Sequence, residues 1–315
     1  MAKNSVSQLA YDIYCIDVRY IRARLACSFL IVHEGKAAFV ECGTSHSTPY
    51  LLSTLKDVGL SVNDVEFIIP THVHLDHAGG AGTLMQACPN AVLLVHPKGA
   101  RHLINPQRLI ESARGVYGAE KFDKLYGDII PVDEYRVSVA EDHSEFSLNG
   151  RILSFTDTPG HARHHFCVYD ELSQGWFTGD TFGLSYPDIH TSNGRYIMPT
   201  TTPTQFEPDA WQASLKKLLD TKPQCMYMTH YGRLDNIVSY ASKLSSDLDV
   251  YCDLALKQKD HENRQQILAK ELMNYTLNDL EKSGCSMPQS TIEKLLAGDI
   301  QLNAQGLDVW LNRIL

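Results

Sequence analysis

The 315-residue chain has no CxxC pair, no run of like charges and no internal repeat. Its first twenty residues, MAKNSVSQLAYDIYCIDVRY, lack a basic start followed by an apolar run, so no secretory signal is expected. No apolar stretch approaches the roughly 18 residues needed to cross a bilayer, and no membrane association is expected. A positive balance is absent as well. The 28 Lys and Arg stand against 37 Asp and Glu, a formal charge of −9. That argues against a nucleic-acid partner held mainly through phosphate neutralisation. Eight cysteines at 15, 27, 42, 88, 167, 225, 252 and 285 show no disulfide-framework rhythm. They read as buried thiols of a reducing compartment, which predicts a cytoplasmic protein.

What is present describes a globular chain. Hydrophobic residues make up 43% and charged residues 21%, near the averages for folded soluble domains. A chain of this length buries roughly three quarters of its unfolded surface. Histidine is the outlier: there are fourteen, several of them packed into one short run.

Short apolar runs recur at 26–33, 37–41, 66–70, 91–96, 151–156, 174–180 and 224–230. Each is of strand length, and most are rich in β-formers or end at Gly, Pro or a polar residue. Helical patterns lie between them. At 48–59, Thr48 is placed as a cap and Pro49 in the first turn, with Leu51, Leu52, Leu55 and Val58 on one face and Gly59 at the end. At 209–220, Trp211, Leu215, Leu218 and Leu219 share a face. The interleaving predicts an α/β architecture. After residue 233 the strand signals stop. Ile237, Ala241, Leu244, Leu248, Tyr251 and Ala255 form a helical stripe, read as intramolecular core in preference to the seam of a homodimer. The expected organisation is therefore a domain over 1–233 and a helical C-terminal extension over 234–315.

The segment Thr71-His72-Val73-His74-Leu75-Asp76-His77-Ala78-Gly79-Gly80 follows the strand EFIIP. Three imidazoles and a carboxylate within six residues are poor packing material and good ligands for zinc and neighbouring first-row metals. His72 and His74, two apart in an extended segment, can face one metal, while Asp76 and His77 can reach a second. Three further candidates each end an apolar strand or follow a tight turn: His161 after Pro159-Gly160, Asp180 after Gly179, and His230 in Thr229-His230-Tyr231.

This set resembles the metallo-β-lactamase superfamily over residues 12–233: HxHxDH, a lone His after Pro-Gly, Gly-Asp, and a last His. The resemblance implies an αββα sandwich with metals at one edge of two packed sheets. It implies His72, His74 and His161 on one metal, Asp76, His77 and His230 on another, and Asp180 bridging. The cofactor expected is two divalent ions, zinc by default, with iron or manganese permitted by the same ligands. The chemistry implied is hydrolysis by a metal-bridging hydroxide, with Asp76 and Asp180 as the catalytic carboxylates.

Departures from known branches narrow the substrate. No nuclease insertion and no flavodoxin-like domain is visible. The acyl-homoserine-lactone hydrolases place a tyrosine shortly after the bridging Asp; here Gly183 is third after Asp180, with Tyr186 left as a spatial substitute. Glyoxalase II shares the motif and a helical appendage, but its basic substrate-binding residues cannot be located. The expectation is a small-molecule partner, foremost an acyl compound (ester, thioester or lactone) and next a small phosphodiester. The alternative is a metal-containing ligand-binding effector, like a quinolone-signal response protein of similar layout. The turn-rich stretch 183–208 reads as an active-site cover, with Tyr186, His190, Arg195 and Tyr196 as substrate contacts. Arg163, His164 and His165 follow His161 and read as substrate-facing, supporting or partly solvated. Residues 99–131, with Arg101, His102, Arg108, Arg114, Tyr117 and Tyr126, read as a solvated helical face, or else as a pocket wall meeting an anion.

Overall fold

The computed structural model describes residues 6–201 and 204–315. Residues 1–5, residues 202–203 of the 183–208 stretch and the side chain of Tyr117 lie outside the described residues. The chain divides into two compact units. Unit 1 comprises 1–157, 164–179 and 223–235; unit 2 comprises 158–163, 180–222 and 236–315. The compact units thus do not follow a single cut at 233/234, because the 180–222 stretch groups with the C-terminal helices.

Unit 1 holds two sheets. The first runs in chain order through β1 (Val6–Gln8), β2 (Ile13–Asp17), β3 (Cys27–His33), β4 (Lys36–Val40), β5 (Val65–Ile69), β6 (Val92–Val95) and β7 (Val137–Val139). Pairing is antiparallel from β1 to β4 and parallel from β4 to β7. The second contains β8 (Glu145–Leu148), β9 (Arg151–Asp157), β10 (Phe166–Asp170), β11 (Gly175–Gly179), β14 (Cys225–Met228) and β15 (Gly232–Leu234). Its spatial order is β15-β14-β11-β10-β9-β8. Only β11 and β14 pair in parallel there.

The continuous apolar runs follow from burial on both faces. Along β3 and β4, Phe29, Ile31, Ala38 and Val40 face a core shared with Phe155, Phe166, Phe177 and Tyr227 of the second sheet. The alternate residues Leu30, Ala37 and Phe39 face Leu51, Leu55 and Leu84. Those leucines come from helices α1 (Thr48–Asp57) and α3 (Ala81–Ala87). Unit 1 is therefore layered helix, sheet, sheet. Each large side chain so buried contributes about 2 kcal/mol. Ser47 occupies the cap position of α1 and Thr48 its first helical turn, one residue from expectation. One charged pair is enclosed: Arg151 and Asp170 meet at 2.6 Å, and Arg151 also donates to the carbonyl of Tyr11.

Residues 99–131 contain α4 (Ala100–Ile104), α5 (Gln107–Tyr117) and α6 (Ala119–Tyr126), which follow the short α2 (Leu75–Ala78) and α3 in the chain. Arg114 is tied to Asp123 at 2.6 Å. Tyr126 is buried, its hydroxyl 2.9 Å from that of Tyr20.

Unit 2 contains the small ladder β12 (His190–Thr191) with β13 (Gly194–Arg195), and helices α7 (Pro208–Asp220), α8 (Ile237–Lys257), α9 (Arg264–Lys282) and α10 (Gln289–Ile314). The stripe from Ile237 to Ala255 is buried throughout. The segments TIEKLL and DVWLNRIL belong to one continuous helix, α10. Among these helices, Lys243 bonds Asp247 at 2.9 Å and Asp279 at 2.5 Å, and Tyr275 donates to Asp247 at 2.7 Å. Among the described residues no helix is long and apolar enough to cross a membrane.

Candidate metal centre

Strand β5 ends at Ile69, and the chain then bends at Thr71 and His72 before α2 begins. His74 stands at the cap position of α2, where its carbonyl accepts the backbone N–H groups of His77 and Ala78. Asp76 falls in the first turn and His77 in the last. This turn brings Asp76 and His77 together with His230, whose ligand atoms all lie within 4.8 Å of one another.

Hydrogen bonding sets the direction of each ring. Glu41, just past the end of β4, is almost wholly buried and accepts the Nδ1–H of His77 at 3.0 Å. The same carboxylate accepts the backbone N–H and the hydroxyl of Thr71 at 3.1 and 2.7 Å, and the hydroxyl of Thr229 at 2.9 Å. With its proton given to Glu41, the Thr71 oxygen accepts the Nδ1–H of His72 at 3.0 Å. His230 donates Nδ1–H to the carbonyl of Leu25 at 2.8 Å. In all three rings Nδ1 carries the proton, so Nε2 presents its lone pair.

Those lone pairs face a carboxylate. Asp76 Oδ2 lies 3.7 Å from His77 Nε2 and 3.6 Å from His230 Nε2. Two lone-pair nitrogens turned toward one anionic oxygen repel unless a cation stands among them. The donor set therefore fits a metal ion. His72 Nε2 also approaches His74 Nδ1 to 2.7 Å.

Unit 2 repeats the arrangement on its own residues. His161 Nδ1 donates to the hydroxyl of Thr200 at 2.9 Å, and that hydroxyl donates to the carbonyl of Asp180 at 3.2 Å. His161 Nε2 then faces Asp180 Oδ2 at 3.2 Å. Both His161 and Asp180 are buried.

Glycines permit the turns that present these groups. Gly160 has φ +128°, and a Cβ there would lie 2.3 Å from the Trp211 Cα. Gly179, just before Asp180, has φ +48°, and a Cβ there would lie 2.4 Å from Thr71 Oγ1 and 2.5 Å from His165 Nε2. No side chain larger than hydrogen fits either place.

The expected substrate contacts are dispersed in unit 2. Tyr186 and Tyr196 are buried, Tyr186 donating to Asp299 at 3.2 Å and the Tyr196 ring lying 4.8 Å from Lys243 Nζ. Burial, with Asp247 and Asp279 nearby, holds the Tyr196 phenol well above its usual pKa. His190 is exposed and Arg195 partly so, on the β12–β13 ladder. Arg163 is turned to Glu207 at 2.5 Å. His164 and His165 stay in unit 1, where the ring of His164 lies 6.2 Å from His72 and 5.6 Å from His74, and His165 lies 4.9 Å from His72. Sequence reasoning did not identify Glu41, Thr71, Thr200 or Thr229. The available signal was an acidic residue closing an otherwise apolar core strand, AAFVE, directly before Cys-Gly.

Comparison with known proteins places this geometry in a family. The metallo-beta-lactamase superfamily profile matches residues 23–230. The metallo-beta-lactamase fold-containing protein ST1585 of Sulfurisphaera tokodaii is 29% identical over 211 residues, covering 63% of this chain and 74% of that protein. Glyoxylase B2 of Dictyostelium discoideum is 29% identical over 157 residues, 49% of this chain and 45% of that one. The solved structure of the archaeal ST1585 protein from Sulfolobus tokodaii superposes with a TM-score of 0.63 at 25% identity, covering 94% of this chain and 97% of that one. With the αββα α/β fold of that group, followed by C-terminal helices, the chain belongs to the metallo-beta-lactamase superfamily.

Proposed function

We propose that the protein is a dinuclear metal-dependent hydrolase of small acyl substrates (esters, thioesters or lactones), with small phosphodiesters as the second class. The observation that carries this reading is the orientation of the rings. His77 and His230 in one unit and His161 in the other each commit Nδ1–H to a protein acceptor and turn Nε2 toward a carboxylate. In this reading Asp76, His77 and His230 hold one ion, and His72, His74 and His161 hold the other. Asp180 serves both. Zinc suits the set, and iron or manganese would be accepted by the same ligands.

When bound, a pair of divalent cations polarises the scissile carbonyl and brings the pKa of an attacking water toward about 7. The protein supplies direction. Glu41, the Leu25 carbonyl and Thr200 lock the imidazoles, so little reorganisation accompanies the reaction. In this reading Asp76 Oδ2 orients the attacking water and takes its proton, and Asp180 supplies the second catalytic carboxylate. No Ser or Cys nucleophile is required. The names metallo-hydrolase and glyoxylase carried by two relatives support a hydrolytic reading. The charge of −9 favours a small-molecule partner over nucleic acid, and eight free cysteines favour a reducing, cytoplasmic setting.

The test is metal analysis of the purified protein together with a panel of thioesters, lactones, aryl esters, phosphodiesters and single-stranded oligonucleotides at low and high salt. Two ions per chain and turnover of an acyl compound are expected. Salt-sensitive cleavage of oligonucleotides alone would overturn the substrate assignment, and silence across the panel with both ions bound would favour the effector reading.

A further inference from the structure

Three imidazoles in unit 1 stand in a row that leads away from the ligand pair. The His164 ring lies 5.6 Å from His74 and 6.2 Å from His72. On its other side the ring of His102 lies at 6.3 Å. His102 belongs to α4, and it forms one wall of a cleft of about 460 Å³, lined also by Arg101, Asn105, Gln107, Arg108 and Glu111. His102 thus stands two ring contacts from His74, one of the histidines that begin the HxHxDH motif.

The charge of the cleft is unbalanced. Glu111 is engaged by the Gln107 amide at 2.8 Å. Arg101 donates from Nε to His102 Nε2 at 3.4 Å, which leaves most of its guanidinium donors directed elsewhere. Among the described residues, neither Arg101 nor Arg108 forms an ion pair with an acidic side chain of this chain, whereas Arg114 in the next turn of α5 is neutralised by Asp123. Because His102 Nε2 accepts a hydrogen bond, its proton sits on Nδ1 and the ring is neutral. Burial, and then the cations of Arg101 and Arg108, hold its pKa below the usual value. Two arginines and a neutral imidazole donor around a cleft of this size match a carboxylate or phosphate, which arginine binds with paired, charge-assisted contacts.

We propose that this cleft binds the anionic arm, a carboxylate or phosphate, of the small substrate whose reacting group is held at His72 and His74. The proposal rests on the reading of those histidines as metal ligands. It makes Arg101 and Arg108 the residues that select substrate, with His102 and His164 standing between cleft and reacting centre.

Two measurements on the metal-loaded protein test it. In the first, the imidazole NMR signals of His102, assigned by their loss in His102→Gln, are followed during titration with inorganic phosphate and with succinate. At least one anion should shift them saturably, and the Arg101→Gln/Arg108→Gln variant should bind that anion roughly ten-fold more weakly. Which anion saturates tells phosphate from carboxylate. In the second, kcat/KM is compared for thioester pairs matched except for a terminal carboxylate or phosphate, and the ratio of anionic to neutral substrate should fall roughly ten-fold in the same variant. Unmoved His102 signals with both anions, or affinity and ratio unchanged in the double variant, would overturn the cleft assignment. If the titration behaves as expected but neither the thioesters nor any other compound of the ester, lactone and phosphodiester panel is hydrolysed, the cleft stands and the hydrolase reading fails. If hydrolysis proceeds with an unchanged ratio, the reverse holds.

Discussion

Glu41 and His77, 36 residues apart in the chain, are joined by a 3.0 Å hydrogen bond between a carboxylate oxygen and Nδ1, with both side chains buried. Glu41→Gln keeps the shape but removes the anion that fixes the His77 proton. Metal affinity at the Asp76, His77 and His230 set should fall about 10- to 100-fold. Metal retention under graded chelator competition measures this, and wild-type retention would rule out the orienting role. Glu41→Ala should in addition cost about 3 kcal/mol in denaturant unfolding, since it abandons the buried donors of Thr71, His77 and Thr229.

His230→Ala should empty chiefly the ion assigned to Asp76, His77 and His230. Asp180→Asn should weaken both, because the amide keeps the size of a bridging ligand and loses its charge. Elemental analysis of each folded variant reads the outcome. Equal loss of both ions in His230→Ala, with the fold intact, would contradict the proposed division of ligands.

Gly160→Ala places a methyl group 2.3 Å from the Trp211 backbone at a φ of +128°. Strain and overpacking together should cost about 3 kcal/mol. The expected readout is a lower unfolding midpoint in urea together with reduced metal content, since His161 is the next residue.

The His102 signals should titrate below the ordinary imidazole value of 6.5, because burial, Arg101 and Arg108 each disfavour the cation. A depressed folded value means that the contribution to stability is complete above the unfolded value and fades as pH falls through the folded one. Replacing Arg101 and Arg108 by Gln should raise the His102 pKa toward 6.5, as an NMR titration of the ring would show. A pKa unchanged in that variant would mean that neither guanidinium acts on the ring.

Asn303 of α10 accepts the backbone N–H of Thr201 at 2.7 Å and donates to the Pro199 carbonyl at 3.0 Å. Asn303→Ala should cost roughly 2 kcal/mol and speed hydrogen exchange at Thr201. Unchanged protection there would show that this part of the 183–208 stretch is held by other contacts.

The layered fold was legible because it is written locally, as was the short segment that brings Asp76 and His77 together. Seven apolar runs each became a strand, and the HxHxDH histidines lie within one turn of a short helix. Strands β2 and β10, though interior to their sheets, were harder to see, since Asp, Tyr and Cys interrupt their apolar character. Beyond an acidic charge closing an apolar strand, Glu41 carries no local mark of its role, which exists only once Thr71, His77 and Thr229 have gathered around it. Tyr186 illustrates the converse. An aromatic in a loop after Asp180 invites a reading as a substrate contact, yet its hydroxyl partner lies 113 residues away in α10.

The reach of the Glu41 carboxylate bears on when the protein acquires its binding chemistry during synthesis. Its partners extend from Thr71 to Thr229, the latter 188 residues downstream. A ribosome-bound chain that has released the HxHxDH segment but not residues 229–230 holds histidines without their full set of orienting acceptors, and lacks one of the proposed ligands. Ion capture in the native geometry therefore awaits emergence of β14 from the exit tunnel. Until then the nascent chain exposes imidazoles that any available first-row cation can occupy, so the choice of metal is made by the assembled fold and the cellular supply rather than by the motif alone.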